Sequence, residues 1–388
     1  MNSEMEENLN LAVLNDLKSI ENIGGAIFVG ALMIIGFIGN SLSLYIYFFR
    51  YNSSTYRVFV LCLAFIDMVA CCVTMPFVLY MQRYPFMFED SWGCRVMKLT
   101  TYFITIGSGV ILLIIATERY RKVCVPHGTQ ILEGKAKISC IIGSVVSVGL
   151  SWPALVLYGS KSVATDRANI TGFACEVSDE YWHTPYPAIF KFVLMFVFIV
   201  SAIALSAIYS LIWRELLRRR RFREGIASSS PAANKGGSQT NDTTETSLTD
   251  NSGRKLSEED AQGNKNGGMN EDSVNSSHKT HGPHATNEAQ KSNKKKGTKA
   301  TDTVTFVLFL ITAVFCVSFL PHLILRIIQF LKKSFVRDMP YGGRVMYHMF
   351  RWSFFINHMA NPIIYGLFDR QFKSELQKMF NRFRNWVK

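Results

Sequence analysis

Seven long apolar blocks constrain this chain more than any other feature of its sequence. The first, residues 24–49, carries no charged side chain before Arg50 and exceeds the roughly 20 residues that a helix needs to cross the hydrocarbon of a bilayer. Soluble core helices rarely stay apolar over such lengths, so the blocks predict an all-α membrane protein with a seven-transmembrane helix bundle. The other six blocks lie near 58–81, 99–117, 138–158, 186–213, 302–331 and 345–368.

The distribution of Lys and Arg between the short connecting segments predicts the orientation of the spans. The segments 50–57, 119–137, 214–223 and 370–388 together carry 19 of these residues, whereas the segments on the opposite side carry 10. Cytosolic segments are enriched in positive charge, so we expect a multi-pass plasma-membrane protein with its N-terminus outside and its C-terminus in the cytosol. The net charge of +13 reflects this bias and does not indicate a nucleic-acid partner, because the basic runs flank spans.

A long polar segment separates the fifth span from the sixth. Residues 225–300 are dominated by Ser, Thr, Asn, Gly, Lys and Glu, so burial of apolar groups cannot offset the entropy lost on ordering. After the last span, large apolar residues recur every three to four positions between basic ones, which predicts an amphipathic helix along the inner leaflet. The predicted parts are an extracellular tail (1–23), five spans (24–213), a long, mostly disordered cytosolic third loop (214–300), two spans (301–368), and the juxtamembrane amphipathic helix with the cytosolic tail (369–388).

Two cysteines and one asparagine stand out on the predicted outer side. Most of the 8 cysteines lie within apolar spans, where a small buried residue is the simpler interpretation. Only Cys94 and Cys175 fall on the oxidising side, so we expect them to form a disulfide. Asn169 begins the one acceptor sequence on that side and is the expected glycosylation site.

Short motifs within the spans resemble those of the rhodopsin-like (class A) G-protein-coupled receptors. They occur in order, each in its appropriate span, and the resemblance extends from about residue 25 to residue 380. It implies a receptor that binds an extracellular ligand and activates a heterotrimeric G protein. The motifs are Gly39-Asn40, Leu63-Ala64-Phe65-Ile66-Asp67, Trp92-Gly93-Cys94, Glu118-Arg119-Tyr120, Trp152-Pro153, Tyr209, Phe315 with Pro321, and Asn361-Pro362-Ile363-Ile364-Tyr365.

The resemblance implies a switch near the cytosolic face. The 25 residues from Cys94 to Arg119 correspond to about 37 Å of helix, which is one tilted crossing. Glu118 is expected to hold the guanidinium of Arg119 at rest and to release it to a cytosolic partner. Phe319 departs from the family pattern, because most members carry a tryptophan there. The implied coupling and switch residues are Glu118, Arg119, Tyr120, Tyr209, Phe315, Phe319, Pro321, Asn361, Pro362 and Tyr365.

Asp67 is a carboxylate in the middle of an apolar span, and such a residue indicates a functional site by default. In the family this region coordinates a sodium ion, and hard cations prefer oxygen ligands. The resemblance therefore implies a structural sodium ion at Asp67, Ser108 and Asn361, with no other cofactor. His358 stands where many members keep a small hydroxyl residue, so a polar network that joins the helices without an ion is the alternative.

The outer half of the bundle is expected to form the ligand pocket. Amine receptors of the family need a carboxylate where Thr101 lies, so a monoamine ligand is disfavoured. Residues 344–368 contain no lysine, which excludes the retinal Schiff base of an opsin. Helical spacing gives the candidate ligand-binding residues Thr101, Tyr102, Thr105, Lys191, His322, Arg326, Gln329, Tyr347, Arg351 and Phe355.

Basic residues are concentrated at the predicted mouth of this pocket. A guanidinium such as that of Arg326 or Arg351 suits bidentate binding of a carboxylate or sulfate, although internal ion pairing is the competing interpretation. The outer segment 172–177 resembles the hairpin of peptide receptors, so we expect a neuropeptide with an acidic group. A lipid or metabolite carboxylate is the alternative. Further basic residues near the rim are Lys191, Lys332, Lys333 and Arg344.

A transporter or channel is the main competing class of membrane protein. Transporters commonly contain internal repeats and helices broken at matched positions, and no such repeat is evident in the sequence. A membrane hydrolase would require a buried metal cluster, whereas only His322 and His358 lie well inside the spans. We therefore expect a receptor and not an enzyme. The resemblance adds a kinase and arrestin as partners of the Ser/Thr-rich segment 228–254.

Overall fold

The structure, a computed structural model, consists mostly of helices. The chain forms two compact units: the larger, residues 1–220 with 297–388, contains the contacts described below, and the smaller comprises residues 221–296. Asn169, the predicted glycan site, and residues 229–283 of the predicted third loop lie outside the described residues. The described residues are 2–165, 170–228, 284–332 and 334–387.

Six helices in the described part of the chain are long and apolar enough to cross a membrane, and two shorter helices in succession cover the seventh apolar block. The predicted all-α membrane fold is therefore confirmed. Its elements are α1 (Asn2–Phe49), α2 (Thr55–Val69), a π-helical turn (Ala70–Thr74), α3 (Met75–Arg83), α4 (Ser91–Cys124), α5 (Glu133–Ser151), α6 (Pro153–Leu157), β1 (Tyr158–Ala164), β2 (Thr171–Val177), α7 (Asp179–Trp182), α8 (Tyr186–Ser228), α9 (His284–Leu331), α10 (Tyr341–Arg351), a 3₁₀ turn (Ser353–Phe355), α11 (Ile356–Phe368) and α12 (Arg370–Val387).

The seventh apolar block is a broken helix, whereas its composition predicted one span over 345–368. The helix α10 ends at Arg351, and a 3₁₀ turn separates it from α11. At the break, the Oγ of Ser353 donates a hydrogen bond to the carbonyl of Ser318 in α9 at 2.7 Å. The irregular backbone is thus packed against a neighbouring helix, which is where a membrane protein tolerates such a break.

The first helix begins at Asn2, within the segment 1–23 that was predicted as an extracellular tail. The Nδ2 of Asn15 donates a hydrogen bond to the carbonyl of Arg83 at 3.2 Å. The guanidinium of Arg83 in turn lies 2.7 Å from the carboxylate of Asp16. These contacts hold the N-terminal turns of α1 against the end of α3. The described part of the predicted tail is therefore a packed extension of the first helix.

Helix α9 also begins earlier than the sequence predicted. Residues 284–300 are helical, although they belong to the loop predicted as mostly disordered. This stretch contains several alanines, lysines and a glutamate, which favour helix, and it is continuous with an apolar span. The last part of the predicted loop is thus helical, and disorder of residues 229–283 stays a prediction.

A close contact between α1 and α11 depends on Gly39. A Cβ atom at this position would lie 2.8 Å from the Cβ of Pro362, which is closer than two such atoms approach. The next residue, Asn40, donates a hydrogen bond from its Nδ2 to the carbonyl of His358 at 2.8 Å. The first and seventh crossings are thereby held together at the depth of the motif that contains Pro362.

The last helix, α12, is amphipathic as predicted. Phe372 is buried, and its ring stacks on that of Tyr47 with the ring centroids 5.6 Å apart. Phe380, Phe383 and Trp386 are exposed instead. Burial of such rings in an inner leaflet stays a prediction, and it is the arrangement typical of an amphipathic helix that lies on a membrane.

Candidate functional site

Four cationic side chains converge at the predicted outer end of the bundle. Lys98 of α4 interacts electrostatically with Lys191 of α8, Arg326 of α9 and Arg351 of α10. No carboxylate in the described part of the chain forms a salt bridge with any of the four. Glu176 is the acidic residue within electrostatic range. We call these four residues the cationic cluster; its excess positive charge favours an anionic ligand.

Arg351 is the member of the cationic cluster with an unused buried donor. Its Nε atom is buried and makes no hydrogen bond, while its guanidinium carbon lies 5.3 Å from the ring centroid of Trp352. The backbone carbonyl of Arg351 is hydrogen-bonded to the Nδ1 of His322 at 2.6 Å. An unpaired buried donor is costly, and an incoming anion would satisfy it.

The rim cations behave differently from the cationic cluster. Lys332 forms a salt bridge with Asp338 at 3.0 Å, and Arg344 forms one with Glu21 at 3.6 Å. Lys333 lies outside the described residues. Internal pairing, the competing interpretation for the basic mouth, therefore holds at these two rim positions.

Of the predicted residues of α4, Tyr102 lies next to the hairpin strand β1 and α8. The hydroxyl of Tyr102 is hydrogen-bonded to that of Tyr158 at 2.7 Å, and its ring packs edge-on against Phe190. Thr101 donates a hydrogen bond from its Oγ1 to a backbone carbonyl one turn earlier in its own helix. Thr105 is half-buried. Tyr102 thus connects α4 to the hairpin and to α8.

Gln329, Tyr347 and Phe355 complete the set of predicted ligand-binding residues. The hydroxyl of Tyr347 donates a hydrogen bond to the Oε1 of Gln329 at 3.2 Å, which joins α10 to α9. Phe355 is only 1% exposed and packs against Trp352 and Phe354. Phe355 therefore belongs to the hydrophobic core of the bundle.

A disulfide joins the hairpin to α4. Cys94 and Cys175 are bonded, which confirms the pair predicted from the sequence. Strands β1 and β2 are antiparallel. The backbone of Phe173 in β2 also accepts a hydrogen bond from the amide of Phe88 at 2.9 Å and donates one to the carbonyl of Phe86 at 2.8 Å. The hairpin is thereby fixed to α4 and to the segment that precedes it.

The charges of the hairpin are paired among themselves. Lys161 lies 3.9 Å from the carboxylate of Glu176, and burial lowers the pKa of this lysine against the opposing effect of Glu176. The backbone amide of Ser162 donates a hydrogen bond to Asp179, which lowers the pKa of that carboxyl. The acidic residue nearest the cationic cluster is thus partly engaged by Lys161.

Phe319 lies in a cluster of aromatic rings directly before Pro321. Its ring centroid is 4.8 Å from that of Phe315, 5.3 Å from that of Phe198 and 5.6 Å from that of Phe354. Pro321 lies inside α9, where it removes one backbone hydrogen bond and lets the helix bend. Phe319 therefore links the bend to α8 and to the break in the seventh crossing.

Asp67 is fully buried and accepts two hydrogen bonds. The Nδ1 of His358 lies 2.8 Å from its Oδ1, and the Nδ2 of Asn361 donates to its Oδ2 at 2.7 Å. The Oγ of Ser108 is buried and makes no hydrogen bond. Of the predicted sodium ligands, Asn361 thus contacts Asp67, whereas no hydrogen bond joins Ser108 to Asp67.

Glu118 binds two cations at the predicted cytosolic end of α4. Its Oε2 lies 2.5 Å from the Nε of Arg119, and its Oε1 lies 2.7 Å from the Nζ of Lys122. Glu118 and Arg119 are 1% and 3% exposed. Tyr120 packs beside Tyr209 in a neighbouring apolar cluster. This is the resting arrangement that the sequence predicts for the Glu118–Arg119 pair.

The two tyrosines of the predicted switch are apart from each other. The hydroxyl of Tyr209 accepts a hydrogen bond from Thr312 at 3.2 Å. Tyr365 is buried, its hydroxyl has no hydrogen-bond partner, and its ring lies 5.4 Å from that of Tyr47 and 6.0 Å from that of Phe372. Neither tyrosine hydroxyl bonds to Arg119, in keeping with the pairing of that arginine to Glu118.

Three charged residues of these regions were missed by sequence reasoning. Lys98 lies three residues before Thr101 and therefore shares its helix face, a spacing that identifies it in retrospect. Lys122 lies four residues after Glu118, which is again a same-face spacing. Asp369 lies between the last span and the amphipathic helix, a position typical of a helix N-cap.

Comparison with known proteins agrees with the motifs. The family described as 7 transmembrane receptor (rhodopsin family) matches residues 39–365. The cholecystokinin receptor type A of Cavia porcellus is 27% identical over 204 residues, which cover 49% of this chain and 45% of the relative. The neuropeptide S receptor of Mus musculus is 24% identical over 200 residues, 51% of this chain and 52% of the relative.

A third relative, the growth hormone secretagogue receptor type 1 of Mustela putorius furo, is 24% identical over 204 residues, 51% of this chain and 55% of the relative. The chain thus spans about half the length of the curated relatives it matches. The family match is longer than any of these and includes every span from Gly39 to Tyr365. The chain belongs to the rhodopsin family of seven-transmembrane receptors.

Proposed function

We propose that this receptor binds an extracellular peptide through an acidic group of the peptide and activates a heterotrimeric G protein. The N-terminus and the hairpin face the outside in this proposal, and the Glu118–Arg119 end of α4 faces the cytosol. The positive charge of the segments around Arg119 and after Phe368 supports that orientation. The activity is one of binding and signalling, with no catalytic step.

The cationic cluster is the observation that carries the proposal. Lys98, Lys191, Arg326 and Arg351 interact with one another electrostatically, and no carboxylate among the described residues forms a salt bridge with them, so each adds to the repulsion on the others. A structural ion-pair network would place acids between them, as happens at the rim. An acidic ligand relieves this repulsion and reaches the free Nε of Arg351, which is the reason to place the acidic group of the ligand here.

A peptide is favoured over a lipid or metabolite carboxylate for two reasons. The β1–β2 hairpin, bonded to α4 through Cys175, resembles that of peptide receptors. One of the similar proteins is named as a neuropeptide receptor. The alternative ligand has the same anionic chemistry, so a screen for agonists has to include both acidic peptides and carboxylate lipids.

Coupling to a G protein is supported by the resting pair at the end of α4. Arg119 is buried beside Glu118 and contacts no other carboxylate among the described residues, so a single ion pair has to open to free it. We further propose that a kinase and arrestin act on the Ser/Thr-rich segment 228–254 after activation. These partners rest on family resemblance and composition.

The direct test is substitution within the cationic cluster. Arg326→Ala and Arg351→Ala are each expected to lower the potency of an acidic peptide agonist by about thirtyfold, corresponding to roughly 2 kcal/mol for the loss of one partner of a charge pair that the bound peptide would bury. Concentration–response curves for G-protein activation in cells measure the change. Arg337→Ala, an exposed arginine of the loop between α9 and α10, is the matched control and should leave potency unchanged.

The variants must be compared at equal surface expression. A folding defect reduces the number of receptors at the cell surface, and this lowers the maximal response as well as the potency. The same variants should respond nearly as the parent receptor does to an agonist whose acidic group has been neutralised. Full potency of an acidic agonist at both arginine variants would contradict the proposal.

A further inference from the structure

We infer that the imidazole of His358 takes the place of a sodium ion beside Asp67, so that this receptor does not respond to sodium. Members of the family that the motifs resemble coordinate a sodium ion in this region. In this chain, two side chains approach the carboxylate of Asp67, and each presents a nitrogen atom to it where a sodium site would need oxygen ligands. The inference concerns the interior of the bundle and is independent of the ligand proposal.

Both oxygens of the buried carboxylate are already hydrogen-bonded. The Nδ1 of His358 lies 2.8 Å from Oδ1 of Asp67, and Nδ2 of Asn361 donates to Oδ2 at 2.7 Å. His358 and Asp67 are 1% and 0% exposed. A nitrogen at 2.8 Å from a carboxylate must donate its hydrogen, so a cation at Oδ1 would have to displace the imidazole.

The predicted ion would have to compete with nitrogen donors at Asp67. Sodium, like other hard cations, needs several oxygen atoms directed to one point. The amide of Asn361 turns its NH₂ group, and not its oxygen, towards Asp67. At both oxygens of Asp67 the chain therefore places a nitrogen donor where a bound ion would need an open carboxylate oxygen.

The imidazole is also held firmly in place. The carbonyl of His358 accepts a hydrogen bond from Asn40 of α1 at 2.8 Å, and the ring of Phe355 lies with its centroid 6.1 Å from that of the imidazole. A Cβ at Gly36 would lie 3.6 Å from the same carbonyl, so α1 lies directly against this turn of α11. Close packing on these sides keeps the ring beside Asp67.

The test measures the thermal stability of the full receptor, purified in detergent without agonist, over a series of sodium chloride concentrations. Choline chloride keeps the ionic strength constant. The apparent melting temperature of the parent receptor is expected to be the same in both salts. His358→Ser removes the imidazole and supplies the small hydroxyl that many family members carry, so its melting temperature should rise with sodium and saturate.

The double variant with His358→Ser and Asp67→Asn is the matched control. Its melting temperature should no longer rise with sodium. A sodium-specific rise in the parent receptor that Asp67→Asn abolishes would overturn the inference. A His358→Ser receptor that binds its ligands but stays indifferent to sodium would overturn it as well. If His358→Ser does not fold, the comparison of the parent receptor with Asp67→Asn still decides, because only a bound ion makes the parent respond.

Discussion

The carboxylate of Asp369 accepts five hydrogen bonds at the junction of α11 and α12. Its Oδ2 accepts the hydroxyl protons of three tyrosines, at 2.8 Å from Tyr47, 3.2 Å from Tyr51 and 3.1 Å from Tyr56. Its Oδ1 accepts the first free backbone amides of α12. Burial and the nearby Asp369 raise the pKa of Tyr51, which keeps this hydroxyl protonated and able to donate.

Asp369→Asn is expected to lower the free energy of unfolding by about 2 kcal/mol, the scale of lost hydrogen bonds to a charged group. An amide that keeps its oxygen towards the backbone amides turns its NH₂ group towards the tyrosines, whose hydroxyls must then accept hydrogen bonds and lose their bonds to a charged carboxylate. Thermal unfolding of the purified receptor measures the loss. Glu375→Gln, in α12 but paired only with Lys378, is the control and should change the melting temperature little.

A melting temperature for Asp369→Asn equal to that of Glu375→Gln would show that the tyrosine contacts do not stabilise the junction. The case also shows a limit of sequence reasoning at the scale of single residues. Asp369 looks like an ordinary helix cap in the sequence, because its three tyrosine partners, Tyr47, Tyr51 and Tyr56, are more than 300 positions away. Helical spacing identified Arg326 and Arg351, whereas no local pattern predicts which cations lack partners.

At the scale of elements, the cytosolic end of α4 holds one carboxylate between two cations. Lys122 is on the helix face of Glu118, and its Nζ lies 2.7 Å from that carboxylate. If Arg119 is released from Glu118 on activation, as proposed, Lys122 would still neutralise the buried carboxylate. We therefore expect Lys122 to be a positioning residue that lowers the free energy needed to release Arg119.

Lys122→Gln is expected to reduce basal nucleotide exchange on the G protein by about fivefold, corresponding to about 1 kcal/mol for a partly exposed ion pair. Lys122→Arg keeps the charge and should behave as the parent receptor does. Nucleotide exchange in membranes measures both variants at equal receptor density. Basal exchange that rises in Lys122→Gln would mean that Lys122 instead strengthens the resting state.

The elements were predicted in type but not in detail. Length and hydropathy suffice to predict seven crossings, because a bilayer requires helices of nearly fixed length. The same criteria are insensitive to the break at Ser353–Phe355, which depends on a hydrogen bond to Ser318 in another helix. They also missed the helical segment before residue 24, which polar contacts with α3 hold in place.

At the scale of the whole molecule, charged groups are arranged at two ends of an apolar bundle. The cationic cluster lies at one end with its disulfide-bonded hairpin, and the Glu118–Arg119–Lys122 group lies at the other. Between them lie the Asp67–His358 contact and the aromatic rings around Phe319. In the proposed function, an anionic ligand at one end therefore promotes the release of an arginine at the other.

Nucleotide exchange on a purified heterotrimeric G protein, with the receptor reconstituted in lipid nanodiscs, tests this connection most directly. An acidic peptide agonist, identified from a peptide library, is compared with the same peptide after amidation of its carboxyl groups. We expect that the acidic peptide accelerates exchange, that amidation removes most of the effect, and that Arg351→Ala makes the two peptides nearly equal in potency. Equal acceleration by both peptides at the parent receptor would contradict it.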